Sequence, residues 1–279
     1  MGEPFIGSEA LAAGRVTPYQ LRSRFVPVHR DVYVPRGTEL TAITRAHAAW
    51  LWSRRTAVVA GRSAAALHGA KWVDPSAPAQ LLHPNRRPPR GIRTWSNRVE
   101  GDEVESIRGI AVTTPARTAL DIACREPLLR ALIALDALAR ATNLKAADVE
   151  LLAERHRGRR GIVRAAEAIG LMDAGAESPQ ETRIRLLLIR AGFPRPETQI
   201  PVYDEWGALV AVLDMGWRDP PVGVDYEGAH HWRTRRDFSR GIRRHDTVTS
   251  LGWTDVRVTA EDTDASIVEW VRQARLRRT

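Results

Sequence analysis

Apolar residues recur at helical spacing in the middle of the chain. Leu128, Leu132, Leu135 and Leu138 stand three or four positions apart, so they share one face of a predicted helix that Pro127 opens. The repeat covers fewer than three heptads, which is too short for a coiled coil. We therefore predict that this face packs into a protein core.

Around this helix, residues 41–172 form a predicted middle region of mixed helices and strands. Helices are predicted at 41–54 and 63–68, from Pro115, from Pro127 and after Gly161, and strands at 57–60, 79–82, 91–95 and 110–112. The basic segment 85–90, Asn-Arg-Arg-Pro-Pro-Arg, predicts an exposed loop between two of these strands. Residues 173–177 are predicted to link this region to the last domain.

Residues 1–40 predict two short helices followed by a β-hairpin. Ser8 is positioned to cap the first helix, and Thr17 precedes a proline at the start of the second. This order is typical of a winged helix, in which Arg22 and Arg24 of the second helix are candidate DNA contacts. An ordinary pair of packed helices explains the same pattern, and both interpretations stay open.

From Ser178 onward the predicted order is helix, three strands, basic helix, strand and helix. Ser178 and Glu181 fit a capping box, and Gly192 ends the first helix. The predicted strands are 199–203, 209–213, 222–227 and 254–259, with a tight hairpin turn at 205–207 and the basic helix at 235–250.

Three acidic residues stand on the strands of this last domain. Asp214 follows an apolar strand, and Asp225 and Glu227 are two positions apart on the next strand, so their side chains project from the same face. Close carboxylates repel one another unless a cation lies between them. Carboxylates with water ligands suit Mg²⁺ or Mn²⁺, which activate water for phosphodiester hydrolysis. Asp214, Asp225 and Glu227 are therefore the predicted metal ligands. The alternative is that these acids pair with the arginines of residues 233–244.

An ordered series of motifs surrounds these acids. The motifs are Ser178-Pro-Gln-Glu-Thr-Arg, Gly192-Phe-Pro-Arg-Pro-Glu-Thr-Gln, Leu213-Asp214, Asp225-Tyr-Glu-Gly-Ala-His-His, Arg244-His-Asp and Leu251-Gly-Trp. In this order they resemble, over about residues 178–264, the endonuclease-like domains related to very-short-patch repair enzymes, within the PD-(D/E)XK superfamily. The resemblance implies a restriction-endonuclease-like mixed sheet flanked by helices for residues 178–279.

The same resemblance assigns roles to the acids. Asp214 and Asp225 are the implied metal ligands, and Glu227 stands where many members carry lysine. His231 falls where related domains carry a histidine that acts on the attacking water, and helix glutamates such as Glu181 add a metal ligand in some members. This chain has Asp-Tyr-Glu where related domains more often have Glu-x-Asp. Without a lysine at position 227, water activation falls to the metal and to His231 or His230.

The predicted basic helix supplies candidate DNA contacts beside these acids. Arg236, Arg240 and Arg243 or Arg244 share one helical face. They would hold the phosphate backbone while the acids position the metal. Solvated arginines with no such role remain the alternative.

Residues before the last domain carry a second resemblance. Val28-His-Arg-Asp-Val-Tyr-Val-Pro, Gly61-Arg-Ser-Ala-Ala-Ala-Leu-His-Gly and Val112-Thr-Thr-Pro-Ala-Arg-Thr-Ala-Leu-Asp resemble the AbiEi-type antitoxins of abortive-infection systems. In that family the N-terminal part binds operator DNA and the following domain opposes a nucleotidyltransferase toxin. The resemblance therefore implies DNA and a toxin as partners.

Composition is consistent with a polyanionic partner. The 42 Lys and Arg residues exceed the 33 acidic ones, for a net charge of +9, and arginine binds phosphate well. A GC-rich genome explains the same arginine content. The single cysteine, Cys124, lies in an apolar helical run and is predicted to be buried. No run of eighteen apolar residues and no leader are present, so we expect a cytoplasmic protein without membrane contact.

Two functions follow as hypotheses. The first is a metal-dependent DNA endonuclease in defence or repair, directed to DNA by the N-terminal module and plausibly a homodimer. The second is an antitoxin-like DNA-binding transcriptional regulator with an inactive nuclease-fold domain. The retained acids favour the first, and the fold class predicted for both is mixed α/β (α+β).

Overall fold

The computed structural model describes residues 2–228 and 244–277 and has an α+β fold. The chain divides into two compact units, Met1–Ala174 and Gly175–Thr279. No helix of the described residues is long and apolar enough to cross a bilayer.

The first unit begins with two short helices and a small sheet in the order β1-β3-β2. The elements are β1 (Phe5–Ile6), α1 (Gly7–Ala12), α2 (Pro18–Arg24), β2 (Phe25–His29) and β3 (Val32–Pro35). Thr17 caps α2 as predicted, because its hydroxyl accepts the Gln20 N–H and the Gln20 side chain accepts the Thr17 N–H. The prediction for Ser8 is wrong: α1 begins at Gly7, and Ser8 donates to the Asp31 carboxylate instead.

A five-stranded mixed sheet follows, in the order β6-β5-β4-β8-β7. Its strands and helices are α3 (Ala42–Trp52), β4 (Val58–Val59), α4 (Gly61–Leu67), β5 (Ala79–Leu82), β6 (Ile92–Trp95), β7 (Val104–Ile107) and β8 (Ile110–Thr113). Each predicted strand of this region is found, shorter than predicted at β4. The edge strand β7 was missed, because Val-Glu-Ser-Ile is too polar to stand out in the sequence.

Four helices complete the first unit: α5 (Pro115–Arg125), α6 (Leu128–Thr142), α7 (Ala146–Arg155) and α8 (Ile162–Gly170). Leu132, Leu135 and Leu138 of α6 are fully buried among these helices, which confirms the predicted core face. Cys124 is buried in the same core, also as predicted. Gly161 precedes α8 with a φ of 87°, in the left-handed region that favours glycine.

The second unit is a four-stranded sheet, β12-β11-β10-β9, between helices. Its elements are α9 (Pro179–Arg190), β9 (Glu197–Tyr203), β10 (Leu209–Arg218), β11 (Pro221–Glu227), a helix α10 described over 244–250, β12 (Thr254–Thr259) and α11 (Asp264–Leu276). Strands β11 and β12 are parallel, and the other pairs are antiparallel. Ile184 and Leu188 of α9 and Ile267 and Val271 of α11 pack in one core with β11 and β12.

Two predicted features of this unit need correction. β10 continues to Arg218, so Asp214 lies within a strand and not at its end. The capping box at Ser178 is only half formed: the Ser178 hydroxyl accepts the Glu181 N–H at 3.2 Å, but Glu181 Oε2 accepts the N–H of Glu177 at 2.8 Å.

Candidate functional site

Asp214 and Asp225 lie together where β10 and β11 run past the paired residues Met215 and Val224. Asp225 Oδ1 accepts the backbone N–H of Asp214 at 2.8 Å, and Asp214 Oδ2 accepts the backbone N–H of Tyr226 at 2.7 Å. At this point each carboxylate accepts a hydrogen bond from a backbone N–H that would otherwise donate to a carbonyl of the neighbouring strand. Two of the three predicted metal ligands are therefore held side by side by the sheet itself.

The environment of this pair disfavours two negative charges. Burial, then the charge of Asp225, raises the pKa of Asp214 to about 7, against the hydrogen bond from Tyr226. Burial raises the pKa of Asp225 to about 6, although the charge of Arg244 opposes the rise. Near neutral pH Asp214 is therefore partly protonated, whereas Asp225 is mostly charged and has Arg244 beside it.

The other two predicted acids lie close enough to act on this pair. Glu181 is buried in the first turn of α9, and its charge contributes to the raised pKa of Asp214. The charge of Glu227 similarly contributes to the raised pKa of Asp225. Glu227 also lies 3.6 Å from the guanidinium of Arg257. The structure thus brings together all four acids that the sequence singled out on the described residues.

Arg244 also lies at this site. One guanidinium nitrogen is 2.7 Å from Asp225 Oδ2 and donates to the carbonyl of Val212 at 2.6 Å. Asp225 Oδ2 is buried and has no aligned hydrogen-bond donor among the described residues, so the contact is an ion pair without a good hydrogen bond. Arginine pairing, the alternative to metal binding, is therefore present at Asp225 and Glu227.

The carboxylates of Asp214 and Asp225 are a suitable pair of donors for one hard cation. Asp214 and Asp225 offer adjacent carboxylates, and Mg²⁺ is commonly bound by one or two carboxylates with water and substrate phosphate completing the shell. The buried Oδ2 of Asp225 accepts no aligned hydrogen bond within the described residues, but a metal ion bound there would have to displace the Arg244 guanidinium, which lies 2.7 Å away. No group of three or more acids, histidines or cysteines in metal-binding geometry occurs within residues 2–228 and 244–277.

Sequence reasoning missed a second charged pair on the neighbouring strand. Asp255 of β12 is buried, accepts from His245 at 2.9 Å and lies 3.4 Å from Arg257. Its charge adds to the raised pKa of Asp225. The signal was available, because Asp255 and Arg257 repeat the i, i+2 spacing of Asp225 and Glu227 on the parallel strand beside them.

Several predicted contacts lie outside the described residues. These are His230, His231, Arg236, Arg240 and Arg243. They stay predictions, and only Arg244 of the predicted basic face is placed by the structure.

The N-terminal helix α2 displays the other predicted contacts. Arg22 and Arg24 are exposed, and neither has a carboxylate within ion-pair distance among the described residues. Tyr19, one turn earlier, is 74% exposed. The Arg36 side chain donates to the carbonyls of Ser23 and Arg22 at 2.8 and 2.9 Å, which fixes the end of α2 to the hairpin.

The motif at 112–121 proves to be structural. Arg117 is fully buried, contacts Glu103, and lies 3.1 Å from Asp121, which Arg159 also contacts. Burial raises the pKa of Glu103, but the hydrogen bond from His156 and the charge of Arg117 together bring it below its ordinary value. This network joins the sheet to helices α5 and α7.

Comparison with known proteins supports one of the two resemblances. Residues 57–171 match the family model described as the AbiEi antitoxin C-terminal domain. Two of the three AbiEi-like motifs, at 61–69 and 112–121, lie inside this match, so the AbiEi-like interpretation of the middle region is confirmed. No comparison supports the PD-(D/E)XK resemblance, which stays a prediction.

Curated relatives extend the similarity along the chain. The chain is 31% identical over 200 residues to the uncharacterized protein MT2308 of Mycobacterium tuberculosis strain CDC 1551 and to the uncharacterized protein Rv2248 of strain H37Rv. Each alignment covers 72% of this chain and 73% of the relative. The chain therefore belongs to the family of these mycobacterial proteins, and its residues 57–171 are a domain of the AbiEi antitoxin type.

Proposed function

We propose that this protein is an antitoxin-like, DNA-binding transcriptional regulator. The observation that carries the proposal is the AbiEi antitoxin match over residues 57–171. A domain of this type points to a toxin–antitoxin or abortive-infection regulator. Because AbiEi-type antitoxins oppose a nucleotidyltransferase toxin, the proposed partner of this protein is a toxin of that class.

The proposed DNA contacts are on α2 and the hairpin that follows it. Arg22 and Arg24 are exposed and have no carboxylate partner within the described residues, and Arg30 at the hairpin turn is also exposed. Free arginines on a short helix beside a β-hairpin suit contacts to phosphates and groove edges. The net charge of +9 favours approach to DNA.

Binding can be tested with a labelled duplex taken from the region upstream of the protein's own coding sequence. We expect salt-sensitive binding, and the Arg22→Ala/Arg24→Ala variant should lower the slope of log K against log salt by about two. Arg160→Ala is the matched control, since Arg160 is an exposed arginine outside α2 and the hairpin. Equal salt slopes for all three proteins would count against these contacts.

A second candidate function is metal-dependent cleavage of DNA. The convergence of Asp214 and Asp225, with Glu181 and Glu227 close by, favours it. Asp214 and Asp225 would hold Mg²⁺ or Mn²⁺, and the ion would supply charge stabilisation at the phosphate and an activated water. The ion pairs of Arg244 and Arg257 with these acids favour the inactive alternative.

Cleavage is tested on supercoiled and linear DNA with Mg²⁺, Mn²⁺ or EDTA. The endonuclease hypothesis predicts metal-dependent cutting that is lost in Asp214→Asn and retained in Glu205→Gln, a change to an exposed acid in the β9–β10 turn. The regulator hypothesis predicts intact DNA with every protein. Cutting that persists in Asp214→Asn would show a contaminating nuclease.

A further inference from the structure

A basic cleft of about 1060 Å³ opens beside the edge strand β6 in the AbiEi-type domain. Ile92, Thr94 and Gln80 line it from the sheet. Its charged lining residues are Arg62, Arg86, Arg93, Arg125, Arg130, Asp74 and Glu126. Arginines outnumber acids in this lining by five to two, so the cleft has a positive potential.

Both acids of the cleft are already engaged. Glu126 forms a two-point ion pair with Arg62, at 2.8 and 3.0 Å. Asp74 accepts the N–H and the hydroxyl of Ser76 at 2.8 and 2.7 Å. The charge of Glu126 is thus balanced by Arg62, whereas Asp74 keeps its negative charge, and the five arginines and two acids of the lining give a net charge of +3.

The remaining arginines are available to a ligand. Arg86, Arg93 and Arg130 are exposed, and none has a carboxylate partner within ion-pair distance in the described part of the chain. They come from three places in the fold: the loop before β6, β6 itself and the first turn of α6. Guanidinium groups that converge from separate elements suit a ligand with several anionic oxygens.

An aromatic ring lies at the same place. The guanidinium of Arg125 lies over the Trp95 ring, 4.2 Å from its centroid. Trp95, Arg86 and Thr94 also line a second cavity of about 370 Å³, together with His83, Asn85, Ser96 and Asn97. The basic cleft and a smaller cavity lined by amide, hydroxyl and imidazole groups therefore share the wall that contains the indole.

We propose that this pair of cavities binds a nucleoside phosphate, either a free nucleotide or the exposed end of a single strand. The phosphates would contact Arg86, Arg93 and Arg130, and the base would lie in the smaller cavity near Trp95. Arginines beside an aromatic face are the combination that binds unpaired nucleotides. An acidic protein surface would bind to the arginines but would make no use of the Trp95 ring or of the smaller cavity. The geometry therefore favours a nucleotide as the ligand. The site is separate from α2 and does not depend on binding to duplex DNA.

The test uses fluorescent mant-ATP and a fluorescein-labelled single-stranded thymidine 12-mer as probes for the full chain, with a 50-residue polyglutamate as competitor. Arg93→Ala/Arg130→Ala should weaken probe binding roughly tenfold or more, because two phosphate contacts are lost. Trp95→Leu should weaken it by about tenfold, and Trp95→Phe should bind more tightly than Trp95→Leu. Arg160→Ala should bind like the wild type, and thermal melting shows that each variant is folded.

Tighter binding of mant-ATP identifies a free nucleotide as the ligand, and tighter binding of the 12-mer identifies a strand; both support the site. Three results would overturn the proposal. They are no binding of either probe, equal binding by the Arg93→Ala/Arg130→Ala and Arg160→Ala variants, and displacement by polyglutamate at the same charge concentration as by unlabelled probe, which would indicate an acidic protein partner.

Discussion

Asp214, which is half-buried, and Asp225, which is buried, illustrate how neighbouring groups decide the chemistry of a side chain. Asp214 and Asp225 each bind a backbone N–H, yet burial raises the pKa values of both, and the charge of each neighbouring acid adds to the rise. A pair in this state is stabilised by protons, by an arginine or by a metal ion. Arg244 is the partner present in the structure.

The raised pKa of Asp214 gives a prediction for stability. A carboxyl whose folded pKa lies above its ordinary value of 3.8 costs nothing below about pH 4 and destabilises the fold as pH rises towards 7. Asp214→Asn removes this cost, so in EDTA it should raise the free energy of unfolding by roughly 1–3 kcal/mol at pH 8. The gain should vanish near pH 4, as measured by urea unfolding.

Glu205→Gln, which removes the negative charge of an exposed acid, is the control. It should leave the unfolding free energy unchanged across the same pH range. Added Mg²⁺ shows whether a metal ion, in addition to Arg244, stabilises the pair. If the pair binds metal, Mg²⁺ stabilises the wild type and not Asp214→Asn. A variant less stable than the wild type at pH 8 without metal would refute the assigned electrostatics.

The buried Arg117 gives a second prediction at this scale. Arg117→Leu leaves Glu103 and Asp121 without their shared cation in the core. We expect a loss of about 3–5 kcal/mol in the unfolding free energy, as for other broken buried pairs. Arg157→Leu, which breaks an exposed ion pair with Glu154, should cost less than about 1 kcal/mol. Similar losses for both would contradict a structural role for the network.

At the scale of elements, the sequence predicts best where local signals agree. Thr17 caps α2, Pro115 opens α5, and the leucine stripe of α6 is buried, because capping groups, proline and periodicity act within a few residues. Ser8 was misread because the partner of its side chain, Asp31, lies 23 positions away. Long-range partners of this kind cannot be read from local pattern.

The glycine that precedes helix α8 gives a further prediction. Gly161 has a φ of 87°, and an added Cβ would lie 2.2 Å from the carbonyl oxygen of Cys124. Gly161→Ala should therefore lower the unfolding free energy by about 2 kcal/mol or more, since both strain and a backbone clash oppose it. Gly158→Ala, three positions earlier with nothing within 4 Å of the added Cβ, should change it by less than about 1 kcal/mol. Equal effects on the two melting curves would contradict the role given to Gly161.

At the scale of the whole molecule, the order along the chain is a small helix–hairpin module, an AbiEi-like region and a sheet that carries an acidic pair. Sequence reasoning predicted one site with Asp214, Asp225, Glu227 and Glu181; the structure places Asp214 and Asp225 side by side, and the metal site stays a prediction. The pairing of Asp225 with Arg244 was the alternative that the sequence left open, whereas the contact of Glu227 with Arg257 could not be predicted, because it depends on the pairing of β11 with β12. A homodimer and a toxin partner stay predictions.

The most direct test of the regulator is a reporter fused to the protein's own upstream region. Expression should be repressed by the wild type and by Asp214→Asn, and restored by Arg22→Ala/Arg24→Ala at equal protein level, because the DNA contacts are on α2 and not at the acids. Repression that survives the arginine changes but is lost in Asp214→Asn would contradict the account.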